Sequence, residues 1–136
     1  MRFVDPDLTT TTEIRGVTFT AGFWPPRESA RFGAEIEALR RMEDKTSDEY
    51  RERALDLYRG MVGYGIRGWS GWEGAPAPVL VEEEIGGRKH RRLDARMLDG
   101  VSLSGVLEEL ALACLRHNNL TPEESKSDPP SGSPPP

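Results

Sequence analysis

Cysteine is nearly absent: Cys114 is the single one in 136 residues. A lone thiol excludes an internal disulfide and a cysteine-based metal cluster, and it fits a reducing compartment. Histidine is almost as scarce, with His90 and His117 alone. Positive charge is in deficit as well. The 18 Lys and Arg against 23 Asp and Glu leave a net charge of −5, so no global basic field draws the chain to nucleic acid or an anionic membrane. Long apolar runs are missing: none approaches the roughly 20 residues of a membrane span, and residues 1–7 lack a secretory apolar stretch. Catalytic signatures and internal repeats are missing too. A soluble, cytoplasmic, non-enzymatic protein without cofactor or metal is the expectation. With 36% hydrophobic residues the length suits one modest core, read as an α+β domain over 1–120 and a flexible tail over 121–136.

What is present in excess is glycine beside tryptophan. Gly63-Tyr-Gly-Ile-Arg-Gly-Trp-Ser-Gly-Trp-Glu-Gly74 closes a well-patterned amphipathic stretch. Glycine at that density allows positive φ and close backbone approach, while Trp69 and Trp72 are costly to leave wet. Such a loop, closed by Pro76 and Pro78, either tucks into a core or meets a partner, and exposed tryptophan is enriched at interface hot spots. Trp69 and Trp72 are therefore candidate partner-binding residues.

Around this stretch the patterns predict three main helices and two hairpins. Threonine-rich residues 9–23 alternate, with Val17, Phe19, Ala21 and Phe23 on one side, and Arg15-Gly16 reads as a turn pairing Ile14 with Val17 and Thr12 with Phe19. After Pro25-Pro26 a helix is predicted from about residue 27 to 42, with Phe32, Ile36 and Leu39 on one face. Thr46 and Glu49 read as a capping box for a second helix carrying Tyr50, Ala54, Leu57, Tyr58, Met61 and Val62, which Gly60 and Gly63 weaken at its end. Residues 79–93 read as a hairpin about Gly86-Gly87 that sets Glu82 against Arg91, Glu84 against Lys89 and Leu80 against Leu93. That hairpin is expected to protrude as a charged arm. A third helix is predicted from about Ser104 to His117, with Leu103, Val106, Leu107, Leu110, Cys114 and Leu115 on its apolar face and Asn118 or Asn119 in a left-handed C-terminal position. Thr121-Pro-Glu-Glu124 starts a further turn at most, and the Pro-rich end has nothing to bury.

Several constellations have bland readings that outweigh chemical ones. Gly63-Tyr-Gly-Ile-Arg-Gly68 matches G-x-G-x-x-G but follows a helix, whereas the dinucleotide fingerprint needs a strand before it and a helix after it. Cys114 and His117 at i, i+3 could meet a metal or pair as nucleophile and base, but Cys114 sits among leucines and reads as core. Glu35, Glu37, Glu43, Asp44, Glu108 and Glu109 read as solvated faces beside Arg40, Arg41 and Arg116. Arg88, Lys89, Arg91 and Arg92, with His90, form the basic cluster. Three glutamates opposite neutralise most of it, so a docking arm is favoured over nucleic-acid binding.

The order of threonine-rich strands, two helices, a Gly-Trp segment ending in prolines, a late helix and Asn119-Leu-Thr-Pro-Glu-Glu-Ser-Lys126 resembles small proteins of the assembly gene block of tailed bacteriophages. Within that block it is most similar to tail assembly chaperones, which carry a Gly-Trp segment before a helix and an Asn-x-Leu-x-x-Glu-Glu-x-Lys-like ending. The charged hairpin at 82–92 departs from that pattern. The resemblance implies a chaperone that binds tape-measure helices and is displaced by tail-tube subunits in the host cytoplasm. A structural virion component, a tail or head-tail connector subunit in a homo-oligomer, is the competing implication.

Overall fold

The computed structural model describes Met1 and residues 3–119. Its elements run β1 (Thr10–Ile14), β2 (Val17–Ala21), α1 (Pro26–Arg41), α2 (Asp48–Gly65), β3 (Ile66–Ser70), β4 (Leu80–Ile85), β5 (Arg88–Leu93), α3 (Ala95–Leu103) and α4 (Leu107–Asn118). β1 and β2 pair as the alternation predicts, with Ile14 opposite Val17 and Thr12 opposite Phe19. The turn holds Arg15 at φ 53° and Gly16 at φ 84°, the left-handed pair that a two-residue I′ loop requires. Arg15 is strained there, and its guanidinium donates to Glu109 on α4 at 2.7 Å.

The Gly-Trp stretch is not one loop. α2 continues through Gly60 and Gly63 to Gly65, and β3 follows at once, antiparallel to β2 with Phe19 opposite Trp69, which makes a sheet of order β1-β2-β3. Close approach is the reason for the helical glycines. A Cβ on Gly60 would lie 2.8 Å from the Phe32 ring of α1, one on Gly63 3.3 Å from Leu98 of α3, and one on Gly65 2.5 Å from Cys114 Sγ of α4. Burial against three helices outweighs the roughly 1 kcal/mol that each glycine costs a helix interior. Within the stretch, positive φ occurs at Gly71 and Gly74, after the strand.

Several helix boundaries differ from the expectation. Ser47, not Thr46, caps α2: its Oγ accepts the Tyr50 N–H at 3.1 Å, while the Thr46 hydroxyl donates to Asp44 at 2.6 Å. The described residues hold four helices, not three. α3 starts on Asp94, whose carboxylate accepts the Met97 N–H at 2.9 Å, and Gly105 at φ 78° separates it from α4. Leu103, placed by the pattern on the late helix's apolar face, instead ends α3 and is 89% exposed. Asn119 is not left-handed, at φ −106°. Asn118 closes α4 through its side chain, which accepts the Trp24 N–H at 2.8 Å and donates to the Gly22 carbonyl at 3.3 Å.

β4 and β5 form a separate two-stranded sheet in the predicted register, Leu80 opposite Leu93, Glu82 opposite Arg91 and Glu84 opposite Lys89. The hairpin is anchored to the body rather than protruding free. Leu93 at its base is fully buried, and the Tyr64 hydroxyl of α2 donates to Glu83 at 2.8 Å. One cluster of buried side chains joins Phe19 of the sheet, Phe32 of α1, Met61 and Val62 of α2, Leu93, and Leu110 and Cys114 of α4. Trp24, which no pattern singled out, is 6% exposed in that cluster, donates to the Met61 carbonyl at 2.9 Å and meets Phe32 edge-on at 4.9 Å. Among the described residues no helix is long and apolar enough to cross a membrane. The expected turn at Thr121 and the Pro-rich tail lie outside the described residues.

Candidate functional site

Trp69 reaches its position because β3 pairs with β2: cross-strand neighbours share a face, so the indole lies beside the buried Phe19 ring. Trp72 follows after the bend at Gly71, and the two indoles and Phe19 form an edge-to-face triad with centroids 5.2 to 6.3 Å apart. Both tryptophans are half-buried, packed on the core with one side outward. The loop after them is pinned because the Trp69 indole N–H donates to the Pro76 carbonyl at 2.9 Å.

Opposite this triad stands α3, the helix that the sequence patterns did not supply. Between them lies a groove of about 290 Å³ walled by Trp69, Trp72 and Pro76 on one side and by Met97, Gly100 and Val101 on the other. Its lining is mainly apolar, with Glu73, Arg96 and Ser104 as its charged and polar side chains. The missed signal was Asp94 before Met97, Leu98 and Val101, an N-cap followed by apolar residues at helical spacing.

The basic residues of β5 are divided. Arg92 is half-buried and donates to Glu83 at 2.6 Å, so its charge is compensated. That same carboxylate takes the Tyr64 hydroxyl, and burial together with Glu83 pushes Tyr64 up to about 12. Arg88, Lys89 and Arg91 are exposed. The structure does not bring these basic residues to the tryptophan groove. They line a different cavity, with Phe23, Pro25, Pro26 and Arg67.

The remaining constellations take up structural positions. Cys114 is fully buried, and burial pushes its thiol up to about 12, which leaves it un-ionised. His117 is 2% exposed, its Nδ1 3.0 Å from the Thr10 hydroxyl and its ring 4.2 Å from that of Phe23. Burial pulls its pKa below the ordinary imidazole value, against a smaller opposing effect of the Leu8 backbone. Glu35 holds Arg53 through two bonds of 2.9 Å that tie α1 to α2, and this pairing lowers its pKa. Glu37 pairs with Arg40 at 3.0 Å and Glu109 with Arg15. Among the described residues no three His, Cys, Asp or Glu side chains group as metal ligands. The G-x-G-x-x-G residues run from the end of α2 into β3, the reverse of the order that phosphate binding by a helix N-terminus requires.

Comparison with protein families, with curated proteins and with solved structures returns no match.

Proposed function

We propose that this chain is a non-enzymatic, protein-binding component of bacteriophage morphogenesis: a tail assembly chaperone that holds an apolar helical segment of the tape-measure protein against Trp69 and Trp72. The groove carries this reading. A half-buried aromatic pair facing Met97 and Val101, with Glu73, Arg96 and Ser104 on the same lining, has the composition of an interface hot spot. A helix presenting one apolar ridge is the occupant that such a trough takes. Gly100 in its α3 wall matches the close approach of a second helix, because beyond its own helix backbone and chain neighbours no atom lies within 4 Å of where its Cβ would be.

The same open space at Gly100 supplies the test. Gly100→Phe fills the groove from an unstrained helical position, so the fold should keep its melting temperature while co-expressed tape-measure helices lose solubility and binding falls at least tenfold. Trp72→Ala should weaken binding by about 2 kcal/mol or more. Undiminished binding by Gly100→Phe rejects the groove as the site. Quantifying the chain in purified virions against the major capsid protein separates the chaperone, which should be absent, from a virion subunit, which should be stoichiometric.

A further inference from the structure

The densest positive charge of this acidic protein lines neither the groove nor a free arm. A cavity of about 690 Å³ lies between β5 and the corner joining β2 to α1, a volume within the range of small-ligand sites. Arg88, Lys89, His90 and Arg91 form one wall. Arg67, from the start of β3, enters from another side and is half-buried. Its guanidinium donates to the Phe23 carbonyl at 2.7 Å and to the Tyr64 carbonyl, both neutral acceptors. Among the described residues none of Arg67, Arg88, Lys89 and Arg91 has an ion pair within 4.0 Å, a state shared with Arg27, Arg41, Arg51, Arg96 and Arg116. Asp7 is the one carboxylate on the lining described, and Glu82 and Glu84 stand across the strand from Arg91 and Lys89. Four permanent cations thus border one concave space: Arg67 from β3, Arg88 from one face of β5, and Lys89 and Arg91 from the other face, where Glu84 and Glu82 are their cross-strand neighbours.

The rest of the lining is mostly apolar and includes half-buried Phe23, buried Pro25 and exposed Pro26. Phe23 is held in place by the His117 ring behind it. Arginine forks match phosphate oxygens bidentately, and an aromatic face beside cations is the arrangement on which a planar ring stacks. A carboxylate partner uses the cations alone and leaves that lining idle.

We propose that this cavity binds an organic phosphate carrying a planar ring: a nucleotide, whether free or as a unit of single-stranded nucleic acid. Phosphate oxygens sit among Arg67, Arg88, Lys89 and Arg91, and the base lies on Phe23 and Pro26. No bond is made or broken. The site is separate from the tryptophan groove and stands or falls independently of the chaperone reading.

Titration calorimetry on the full chain at about 50 mM salt tests it with three probes: inorganic pyrophosphate, ATP and an oligothymidylate. ATP should bind more tightly than pyrophosphate, because the ring adds stacking. Oligothymidylate tighter than ATP identifies nucleic acid as the source, and the reverse identifies the free nucleotide. Arg88→Ala with Arg91→Ala, both exposed and outside the ion pairs above, should lower affinity at least tenfold without moving the melting temperature. For the oligonucleotide the salt slope should shrink by roughly 1.4, about 0.7 for each single-strand phosphate that the variant no longer neutralises. Arg40→Ala with Arg41→Ala, the same removal of charge at the far end of α1, should leave binding unchanged. The proposal is overturned if no probe binds, if the distant pair weakens binding equally, if pyrophosphate matches ATP, or if an oligoglutamate peptide displaces ATP at equal concentration.

Discussion

Single residues in this protein work chiefly by what they leave out. Gly65 ends α2 where α4 and Trp24 press against its backbone: an added methyl would stand 2.5 Å from Cys114 Sγ and 2.9 Å from the Trp24 indole nitrogen. Neither neighbour has room to retreat, since Cys114 is fully buried and Trp24 is bonded to the Met61 carbonyl. Gly65→Ala is therefore expected to destabilise by about 1 to 3 kcal/mol through overpacking. Gly33, in the exposed face of α1 with no atom within 4 Å of its would-be Cβ, provides the contrast. Gly33→Ala should stabilise by about 0.5 to 1 kcal/mol through helix propensity. Chemical denaturation of both variants measures the opposite signs, and equal effects would show that the Gly65 packing is not tight.

At the scale of elements, local chemistry decides where helices begin and packing decides where they end. Ser47 and Thr46 are adjacent, and both can cap. Ser47 does so because Asp44 engages the Thr46 hydroxyl and backbone N–H, at 2.6 and 2.9 Å, in a turn that precedes the helix. Ser47→Ala should cost about 1 kcal/mol of stability by orphaning the Tyr50 N–H. Thr46→Ala, at an exposed position outside the cap, should stay within about 0.5 kcal/mol. A larger effect at Thr46 than at Ser47 in urea unfolding would return the cap to the capping-box residue. The hairpin follows the same division. Its register is local, from the Gly86-Gly87 turn and alternating strands, whereas its anchoring to α2 depends on Glu83 meeting Tyr64, residues far apart in the pattern.

Across the whole molecule, His117 joins parts that the chain separates most: α4 to β1 through Thr10, 107 residues away, and to Phe23 beside the basic cavity. Its pKa is lowered in the fold because burial penalises the imidazolium, with Arg67 adding to that and the Leu8 backbone opposing. The unfolded chain then binds more protons near the ordinary value of about 6.5, so stability must rise with pH there. The contribution is complete above about pH 6.5 and is lost as pH falls below it. Glu35, whose pKa is lowered by Arg53, has the same sign but acts below the ordinary carboxylate value of about 4.3, so the two windows separate. Melting temperature should fall between pH 7.5 and 5.5, and His117→Asn should flatten that fall. An unchanged slope in the variant would assign the pH dependence elsewhere.

Sequence alone determined whatever depends on neighbours along the chain. The Arg15-Gly16 and Gly86-Gly87 turns with their strand registers, the faces of α1 and α2, and the burial of Leu110 and Cys114 all follow from periodicity and turn chemistry that operate within a few residues. Tertiary structure decided what depends on the meeting of distant segments. Gly60 and Gly63 read as weakening the end of their helix until Phe32 and Leu98 are packed against them, and β3 is invisible until β2 offers it an edge. The two candidate sites belong to that second class. Trp69 and Trp72 were legible as large apolar groups beside glycine, but the groove exists because α3, which begins only at Ala95, forms its other wall. The basic residues of β5 were legible as a cluster, and the glutamates opposite suggested neutralisation. Only the fold turns Glu83 toward Tyr64 and Arg92, brings Arg67 and Phe23 to the same cavity, and leaves Arg88, Lys89 and Arg91 without ion pairs among the described residues. Charge along a sequence adds up regardless of direction, whereas charge in a cavity depends on which side chains the backbone points there.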